Sequence, residues 1–379
     1  MVKLNKIGLI VFLFLLFVAG CHHSDKDASL DSSFHGLRES PPFHMKEVPR
    51  EQDGIVPIEV ADPFSLSVIG WMSNGDVLLN ESRDGGSVIS QYHIFSGKKT
   101  ERIKLDLPVT SAEISPNREF LLLHTSPNPY EADLQIFRTD TFQEVYKESF
   151  ESSEIAYVWN GNDETKLLIT AFYEDWSYKT YIIDTSKKES ESVELPQPFA
   201  EWLDEKRMLM LDWDMENPDI LAHLIVSSKT ETEKIEGEEY YFIKSWPGLV
   251  LAVGVSSEDF GVAEYIFFNQ HLKPIFSFQV PHISQYSGWM VPYFDYLEES
   301  KDFLMIEPKE SGEIVLYEGG FQLTKRNMET GEKTMIAESI ENEPFTCSPN
   351  GQYCLLGFSS DEILFLEDGR IEPFLIEKQ

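Results

Sequence analysis

Short, continuously apolar runs recur along most of the chain, and segments in which apolar and charged residues alternate lie between them. The apolar runs are Val77-Leu78-Leu79, Leu121-Leu122-Leu123, Leu167-Leu168-Ile169, Met208-Leu209-Met210-Leu211 and Phe303-Leu304-Met305-Ile306. Such runs, without helical spacing, are typical of strands that are covered on both faces. Alternating segments such as residues 99–105 are typical of outer strands that face water. The pattern predicts an all-β protein whose sheets stack face to face.

A turn motif precedes the apolar runs and divides the chain into repeats. It is clearest at Cys347-Ser348-Pro349-Asn350-Gly351-Gln352-Tyr353-Cys354, and copies lie at residues 114–122 and 71–79. Pro suits the second position of a type I turn, and Asn and Gly tolerate the left-handed backbone that reverses the chain. Each copy therefore predicts a β-hairpin.

The repeats have a regular length. The landmark positions are Trp71, Ile114, Trp159, Trp202, Trp246, Phe294 and Cys347. The first five recur about every 44 residues and the last two follow longer gaps, which matches the period of four-stranded propeller blades. We predict a β-propeller of four-stranded antiparallel blades, with seven blades favoured and six as the alternative.

Two details of this architecture are predicted less directly. In the sixth repeat, residues 314–317 are predicted to form the third strand, with an extension through 321–326. Residues 55–60 form a strand before the first repeat, and pairing of this strand with the last blade would close the ring and remove exposed sheet edges.

The N-terminus has the features of an export signal. Lys3 and Lys6 provide a positive segment, an apolar segment covers residues 7–17, and Val18-Ala19-Gly20 precedes Cys21. The apolar segment is shorter than the roughly 20 residues that a membrane-spanning helix needs. The pattern resembles a bacterial lipoprotein signal, which implies cleavage before Cys21 and acylation of its thiol and new amine with fatty acids such as palmitate. Several acyl chains form a stable anchor.

The chain divides into three parts. Residues 1–20 are predicted to be the signal peptide, residues 21–53 a lipidated flexible tether, and residues 54–379 a single propeller domain. The tether is polar and rich in Ser, Asp and Pro, so it buries too little apolar surface to fold. We expect the protein at the cell membrane, facing outward, with the outer membrane as a further possibility in a host that has one.

The charge of the chain excludes one class of partner. Against 31 Lys and Arg residues there are 65 Asp and Glu residues, which gives a formal net charge of -34. Such a charge repels phosphate backbones, so nucleic acid is not an expected partner. The hydrophobic fraction of 42% is ample for a folded core.

The repeats and the lipoprotein signal together carry a resemblance. The turns at Ser115-Pro116-Asn117 and Ser348-Pro349-Asn350-Gly351 resemble the Ser-Pro-Asp-Gly signature of WD40-like and TolB-like propellers. With the signal at Cys21, the layout is similar to bacterial lipoproteins with a YqgU-like propeller domain. This resemblance covers nearly the whole mature chain. It implies a propeller of six blades, whereas the repeats number seven, and it implies no particular activity.

Candidate binding residues lie in the loops that join the second and third strands of each repeat, because these loops share one end of a propeller with the connections between blades. The predicted binding face is rich in aromatic and acidic residues: Tyr130, Glu131, Tyr173, Asp175, Trp176, Asp214, Glu216 and Phe260. It suits a peptide, a basic protein segment or a sugar. The same residue types are also common in plain turns and blade caps.

Two other groups offer chemistry. Cys347 and Cys354 flank one hairpin; a two-residue turn at Asn350-Gly351 places them opposite each other within reach of a disulfide, whereas a three-residue turn pairs Cys347 with Tyr353. Buried free thiols are the alternative. Asp212, Asp214 and Glu216 suggest calcium, but the glycine and the final glutamate of an EF-hand loop are missing. No metal or cofactor is predicted.

The sequence contains no recognisable catalytic motif. We therefore expect a non-catalytic binding or scaffolding propeller that is anchored in the membrane by its lipid and engages a protein or a cell-wall component. The alternative is an extracellular hydrolase or lyase that acts on a sugar or peptide, with Asp and Glu residues of different blades as acid and base at the central channel.

Overall fold

The computed structural model describes residues 54–62, 65–214, 219–229, 231–256, 259, 261–286 and 288–378. The predicted signal peptide, the tether and Cys21 lie outside the described residues. Within these ranges, no helix has both the length and the apolar character needed to cross a bilayer. The described part of the chain is built almost entirely from β-strands.

Seven four-stranded sheets follow one another along the described chain. A short strand, β1 (Ile58–Val60), precedes them. Sheet 1 contains β2 (Leu66–Trp71), β3 (Asp76–Arg83), β4 (Gly86–His93) and β5 (Lys98–Leu105). Sheet 2 contains β6 (Val109–Ile114), β7 (Phe120–Asn128), β8 (Glu131–Arg138) and β9 (Glu144–Glu151). Sheet 3 contains β10 (Glu154–Trp159), β11 (Lys166–Phe172), β12 (Tyr178–Asp184) and β13 (Glu189–Val193).

The remaining sheets share this order. Sheet 4 contains β14 (Glu201–Trp202), β15 (Met208–Leu211), β16 (Leu224–Ser227) and β17 (Thr232–Lys234). Sheet 5 contains β18 (Phe242–Trp246), β19 (Leu249–Val255), β20 (Val262–Asn269) and β21 (Pro274–Pro281). The next strands are β22 (Ile283–Gln285) and β23 (Gly288–Trp289). Sheet 6 contains β24 (Phe294–Leu297), β25 (Asp302–Pro308), β27 (Phe321–Asn327) and β28 (Lys333–Ile340), and β26 (Gly312–Glu313) lies between its second and third strands. Sheet 7 contains β29 (Phe345–Cys347), β30 (Tyr353–Leu356), β31 (Glu362–Phe365) and β32 (Ile371–Pro373), and β33 (Leu375–Glu377) follows.

Apolar side chains fill the spaces between neighbouring sheets. Leu78 on β3 packs with Ile114 and Leu121 of sheet 2. Its neighbours on the same strand, Val77 and Leu79, pack on the opposite side with residues of sheet 7. Successive side chains of a strand point to opposite faces, so a second strand between two sheets must be apolar at every position. The prediction that these strands are covered on both faces is confirmed, as is the class of an all-β propeller with four-stranded antiparallel sheets.

Contacts between the last and first sheets close the ring. Trp71 Nε1 donates to the carbonyl oxygen of Thr346 at 2.9 Å, and the backbone N–H of Asn350 donates to Asn74 Oδ1 at 2.9 Å. Strand β1 pairs in parallel with β33, in a two-stranded sheet of its own. The predicted strand at residues 55–60 thus begins later, at Ile58, and its partner is the segment after the last four-stranded sheet.

The two ends of the ring differ in their loops. Turns between first and second strands contact one another around the ring: Ser115 Oγ donates to Glu164 Oε2 at 2.7 Å, and Asn160 Nδ2 donates to the carbonyl oxygen of Asp204 at 3.2 Å. We call this the turn end. The loops between second and third strands and the connections between sheets lie at the opposite end, because adjacent strands are antiparallel. We call that the loop-rich end.

One predicted strand is wrong. Residues Ile314–Leu316 form a 3-10 turn, and Phe321–Asn327 is the third strand of sheet 6. Strand β27 pairs with β25 along its whole length, from Asp302 to Pro308, and leaves residues 309–320 as an insertion. Strand β26 in this insertion pairs with β22, and β22 pairs with β23, to form an accessory three-stranded sheet. These inserted segments account for the longer gaps before the last two landmark positions.

The hairpin at the start of sheet 7 brings its two cysteines together. Cys347 pairs directly with Cys354 in the sheet, and their sulfur atoms lie 1.99 Å apart as a disulfide. The turn is longer than a two-residue loop, since the N–H of Gly351 donates to the carbonyl oxygen of Ser348 and Gly351 has a φ of 62°. Arg118, at the same place in the sheet 2 turn, has a φ of 61°.

Candidate functional site

Exposed apolar side chains gather at the loop-rich end. Of the twelve large hydrophobic side chains that are exposed among the described residues, nine lie in loops or connections at this end. They are Leu107, Tyr130, Trp176, Ile220, Tyr286, Ile314, Val315, Leu316 and Phe358. The other three are Val56, Ile275 and Met335. Scattered exposed apolar residues are ordinary, whereas their concentration on one face is typical of interaction surfaces.

The loops of sheets 2 and 3 hold two exposed aromatic residues of the predicted binding face. Tyr130 is 56% exposed in the turn between β7 and β8, and Trp176 is 51% exposed between β11 and β12. Trp176 has a φ of 67°, and its N–H donates to the carbonyl oxygen of Tyr173 at 2.9 Å. A left-handed backbone is costly for a large side chain unless the surroundings hold it. The tight turn therefore holds the indole outward at the tip of the loop.

Asp175 stabilises the same turn. Its carboxylate accepts hydrogen bonds from the N–H and the hydroxyl of Ser177 at 3.0 and 2.5 Å, and these bonds lower the pKa of Asp175. Tyr173 lies beneath the Lys179 ammonium, which is 5.4 Å from the centre of the Tyr173 ring. The loop thus presents an ordered aromatic and acidic surface.

The structure describes only some of the other predicted binding residues. Glu131 begins β8 and accepts a hydrogen bond from Asn128 Nδ2 at 2.9 Å. Asp214 is exposed in the loop after β15, so the structure places Glu131, Asp175 and Asp214 in the loops of three consecutive sheets. Glu216 and Phe260 lie outside the described residues.

The accessory sheet adds to this end an apolar surface that the sequence analysis missed. Tyr286, in the turn between β22 and β23, is 94% exposed, and Val315 and Leu316 follow β26. A Cβ atom on Gly288 would lie 3.7 Å from a methyl group of Ile220, so the loop of sheet 4 lies against the accessory sheet. The only sequence signal for this surface was the unusual length of the last two intervals between landmarks.

A cluster of three aromatic rings joins the accessory sheet to sheet 5. The buried imidazole of His282 packs against Tyr241 and Trp289, with ring centres 5.6 and 5.2 Å away, and the Tyr241 and Trp289 rings are themselves 5.2 Å apart. The hydroxyl of Tyr241 and Nε2 of His282 are 3.2 Å apart. These contacts join the residue before β18 of sheet 5 to β23, so the accessory sheet packs against sheet 5.

Ionisable groups also converge on the axis of the ring, which the first strands line. Lys244 Nζ on β18 donates to both carboxylate oxygens of Glu201 on β14, at 3.1 and 3.3 Å. Burial raises the pKa of Glu113 on β6 to about 7, and the charges of Lys244, Glu201 and Glu164 also act on this carboxyl group. Three sheets thus direct acid and base groups toward one region. No local motif marks them in the sequence.

Next to Glu113, a chain of hydrogen bonds crosses from sheet 3 to sheet 2. The hydroxyl of Tyr157 donates to Ser111 Oγ at 2.8 Å, and Ser111 Oγ lies 3.2 Å from Nδ1 of His124. Burial lowers the pKa of His124, which favours the neutral imidazole. The chain satisfies polar groups that the sheet interface would otherwise leave unpaired.

Residues 93–357 match the model of the YqgU-like 6-bladed beta propeller domain. The chain belongs to this family. The Bacillus subtilis (strain 168) protein named Uncharacterized lipoprotein YqgU is 24% identical over 333 residues, which span 87% of this chain and 89% of that protein.

Solved structures share the fold. The crystal structure of lmo1340 from Listeria monocytogenes EGD-e matches with a TM-score of 0.77 at 18% identity, and covers 86% of this chain and 99% of that one. The Pyrococcus horikoshii acylaminoacyl peptidase matches with a TM-score of 0.53 at 15% identity, over 85% of this chain and 54% of that one. At these identities the likeness concerns the fold alone.

The family description bears on the number of blades. It gives six, in agreement with the resemblance and against the seven that the repeat count favours. The described residues of this chain nevertheless form seven four-stranded sheets. The family match begins at the end of the third strand of sheet 1 and ends just after the second strand of sheet 7.

The acidic segment that suggested calcium has other contacts. Asp212 Oδ2 accepts a hydrogen bond from Lys234 Nζ at 3.2 Å, and Glu216 lies outside the described residues. Across the ranges that the structure describes, no three His, Cys, Asp or Glu side chains come close enough together to bind a metal ion.

Proposed function

We propose that this protein is a membrane-anchored, extracytoplasmic lipoprotein whose propeller binds a protein partner, without catalysis, through its loop-rich end. The observation that carries the proposal is the concentration at that end of nine of the twelve large apolar side chains that are exposed in the described ranges. Aromatic anchors at the centre of such surfaces supply most of the binding energy of protein interfaces. Tyr130, Trp176 and Tyr286 are the anchors in this proposal.

Two observations support the membrane anchor: the lipoprotein-like signal before Cys21, and the similarity to the Bacillus subtilis lipoprotein. The chain enters the described body beside the turn end, where the N–H of Val56 donates to the carbonyl oxygen of Ile94 at 2.7 Å. Gly97, in the neighbouring turn, also lies against Val56. A flexible tether that joins the body at the turn end leaves the loop-rich end, on the opposite side, accessible to a partner.

The partner we propose is a protein segment that carries both apolar and basic side chains. Carboxylates such as Glu131, Asp175 and Asp214 stand among the exposed aromatic residues, and the whole chain carries a net charge of -34. Complementary charge steers association and selects against acidic partners. Apolar contacts then supply affinity.

The test is chemical cross-linking on intact cells. We expect Trp176→Ala and Tyr130→Ala each to lower recovery of the cross-linked partner about tenfold or more, because loss of an anchor residue costs about 2 kcal/mol of binding free energy. Ile275→Ala and Met335→Ala are matched controls, since both side chains are 55% exposed but lie on outer strands.

Two results would contradict this proposal: full recovery with both loop variants, or equal loss with the outer-strand controls. A Cys21→Ser variant separates loss of the binding face from loss of the anchor. It should release the protein from the membrane fraction while purified Cys21→Ser protein still binds the partner.

The ionisable groups on the axis favour a second candidate, a hydrolase or lyase that acts on a sugar or peptide. A carboxyl group with a pKa of about 7 suits a general acid, and Glu201, paired with Lys244, supplies a second carboxyl group that acts on Glu113. In this candidate the carboxyl group of Glu113 would donate a proton to the leaving group of the sugar or peptide bond that is cleaved. Substrate would enter along the axis of the ring.

Activity assays separate the two candidates. The purified protein is incubated with fluorescently labelled polysaccharides and with labelled casein, and released products are measured. An enzyme should lose about 100-fold or more of its rate in Glu113→Gln, the loss typical for a missing general acid. Absence of product with the unmodified protein on both substrate types would count against the second candidate.

We also propose that seven blades make up the closed ring. Seven buried apolar clusters support this number, one at each boundary between successive sheets, including that between sheets 7 and 1. An experimental structure with six blades would contradict it.

A further inference from the structure

A cleft at the turn end lies where the ring closes, between the first and last sheets. Its volume is about 540 Å³, within the range of small-molecule sites. The residues that line it are Ser73, Asn74, Gly75, Asp76, His93, Phe95, Asn350, Gln352 and Tyr353. They come from turns that are more than 250 residues apart in sequence, as the bond from Asn350 N–H to Asn74 Oδ1 illustrates. This cleft lies opposite the proposed binding face.

Backbone and hydroxyl groups hold the polar side chains of the cleft in position. Asp76 Oδ2 accepts a hydrogen bond from Ser73 Oγ at 2.9 Å. Asn350 Oδ1 accepts from Ser348 Oγ at 2.9 Å and from the N–H of Gln352 at 3.2 Å. His93 Nδ1 accepts from the N–H of Ser96 at 3.2 Å, which leaves the ring's N–H at Nε2 in the neutral form. The side chains are therefore oriented before any ligand binds.

Several atoms of these ordered side chains have no protein partner in the described part of the chain. They are the amide nitrogens of Asn74 and Asn350, both ends of the Gln352 amide, and Nε2 of His93. A ligand in the cleft would thus meet both donors and acceptors. Gly75 keeps this space open, since a Cβ there would lie 3.4 Å from both His93 Nε2 and the Phe95 ring.

Aromatic rings form the apolar part of the cleft. Phe95 meets Tyr353 edge to face with ring centres 5.7 Å apart, and His93 meets Phe95 in the same way at 5.8 Å. Asp76 carries the only carboxylate of the nine lining residues, and none of them is a lysine or arginine. The lining therefore favours a ligand that is neutral, rich in hydrogen-bonding groups and able to pack against an aromatic ring.

We propose that this cleft binds a neutral saccharide. Sugar hydroxyl groups both donate and accept, which matches amide side chains that offer both functions, and C–H groups of a sugar ring would contact the partly buried rings of Phe95 and Tyr353. The volume accommodates roughly two to three hexose units. The proposal does not rest on the binding of a protein partner at the loop-rich end.

A second cleft, between sheets 3 and 4, differs from the first in its charge. It measures about 410 Å³ and is lined largely by charged residues. Two ion pairs lie within this lining: Lys187 Nζ lies 2.6 Å from Asp184 Oδ2, and Lys229 forms a salt bridge with Glu191. Because this lining contains no Asn or Gln side chain, the second cleft serves as a control site.

The experiment measures saccharide binding by the full chain in a detergent without sugar head groups. Maltotriose, cellotriose and N,N′,N″-triacetylchitotriose are titrated by calorimetry, and we expect at least one to bind with a Kd of about 1 mM or below. Gln352→Ala and Asn74→Asp should weaken binding about tenfold, since the second change removes the free amide donor and keeps the oxygen that accepts from Asn350. Lys206→Ala in the second cleft should leave the Kd unchanged.

Three outcomes would overturn this inference. The first is no binding of any of the three sugars at about 20 mM, and the second is binding that both cleft variants leave intact. The third is loss of sugar binding in Trp176→Ala, which would place the sugar at the loop-rich end. Because the partner cross-linking is scored separately, failure of the saccharide site leaves the proposed function untouched.

Discussion

Replacement of Phe374 by alanine should lower the free energy of unfolding by about 3–5 kcal/mol, the usual cost of removing a fully buried aromatic side chain. Phe374 is 0% exposed and meets Tyr92 edge to face with ring centres 6.0 Å apart. It belongs to the apolar cluster that contains Ile58 of β1 and Leu355 of sheet 7. A cavity here weakens the contact between the two ends of the chain.

The backbone contacts around Phe374 explain why the Phe374→Ala change should weaken several contacts together. Its carbonyl oxygen accepts from the N–H of Ile58 at 2.7 Å, just before β1 pairs with β33. Trp71 lies in the same cluster and is bonded to Thr346 of sheet 7. If the contacts that close the ring are broken, the interface between sheets 7 and 1 therefore becomes exposed to water.

Urea denaturation followed by tryptophan fluorescence measures this effect. Phe358→Ala is the matched control, because Phe358 is also in the last part of the chain but is 68% exposed. We expect the control to change stability by less than about 0.5 kcal/mol. A loss below about 1 kcal/mol for Phe374→Ala would show that the closure contributes little.

Glu307→Ala should destabilise the protein by about 3–5 kcal/mol, because it leaves buried positive charge without a partner. The Glu307 side chain is 2% exposed and accepts hydrogen bonds from Thr324 Oγ1 at 2.7 Å, Arg326 Nη2 at 2.8 Å and Lys333 Nζ at 2.6 Å. Arg326 is also fixed over the ring of Phe278, 4.1 Å from its centre. The arginine cannot move into water without breaking that contact.

The effect of Glu307 depends on pH in a defined direction. Burial by itself raises its pKa, but the bonds from Lys333 and Thr324 and the charge of Arg326 outweigh burial and lower the pKa below its ordinary value. The stabilisation is therefore present above the carboxyl pKa of the unfolded chain and is lost as pH falls through the lowered value. The difference between wild type and Glu307→Ala should be largest near pH 7 and shrink below about pH 4.

Denaturation curves at several pH values test this prediction. Glu310→Ala, on an exposed carboxylate three residues away, is the control and should change stability little at any pH. A difference between wild type and Glu307→Ala that stays constant from pH 7 to about pH 3 would contradict the charge-based explanation.

The repeat architecture was readable because its signals are local. Leu121-Leu122-Leu123 reads as a strand with two covered faces, and its side chains do divide between the interfaces with sheets 1 and 3. The turn at Ser115 joins two strands as predicted, but its left-handed residue is Arg118 and not Asn117. Residues 314–317 misled the interpretation because an apolar stretch of that length fits a strand, whereas the pairing that excludes it depends on β25 and β27.

The candidate site was predictable only in part, because local sequence signals do not show contacts between distant residues. Tyr130 and Trp176 stand in loops whose position follows from the order of strands. The accessory sheet depends on the parallel pairing of Ile283 with Gly312, and no local pattern announces a contact across that distance. Glu113, Glu201 and Lys244 sit in three different first strands with ordinary neighbours, so only the ring brings them to one axis.

The amino-acid sequence by itself determined that this chain is a repeated all-β protein of the YqgU-like family, and it predicts an export signal over residues 1–20, just before Cys21. Periodicity and short motifs indicate these properties, and both depend on residues that are close together along the chain. Tertiary structure alone decided how β1 meets β33, which turns form the cleft beside Asn74 and Asn350, and where the exposed aromatic residues gather. Each of these depends on contacts between distant residues, whose geometry is set only when the sheets pack into a ring.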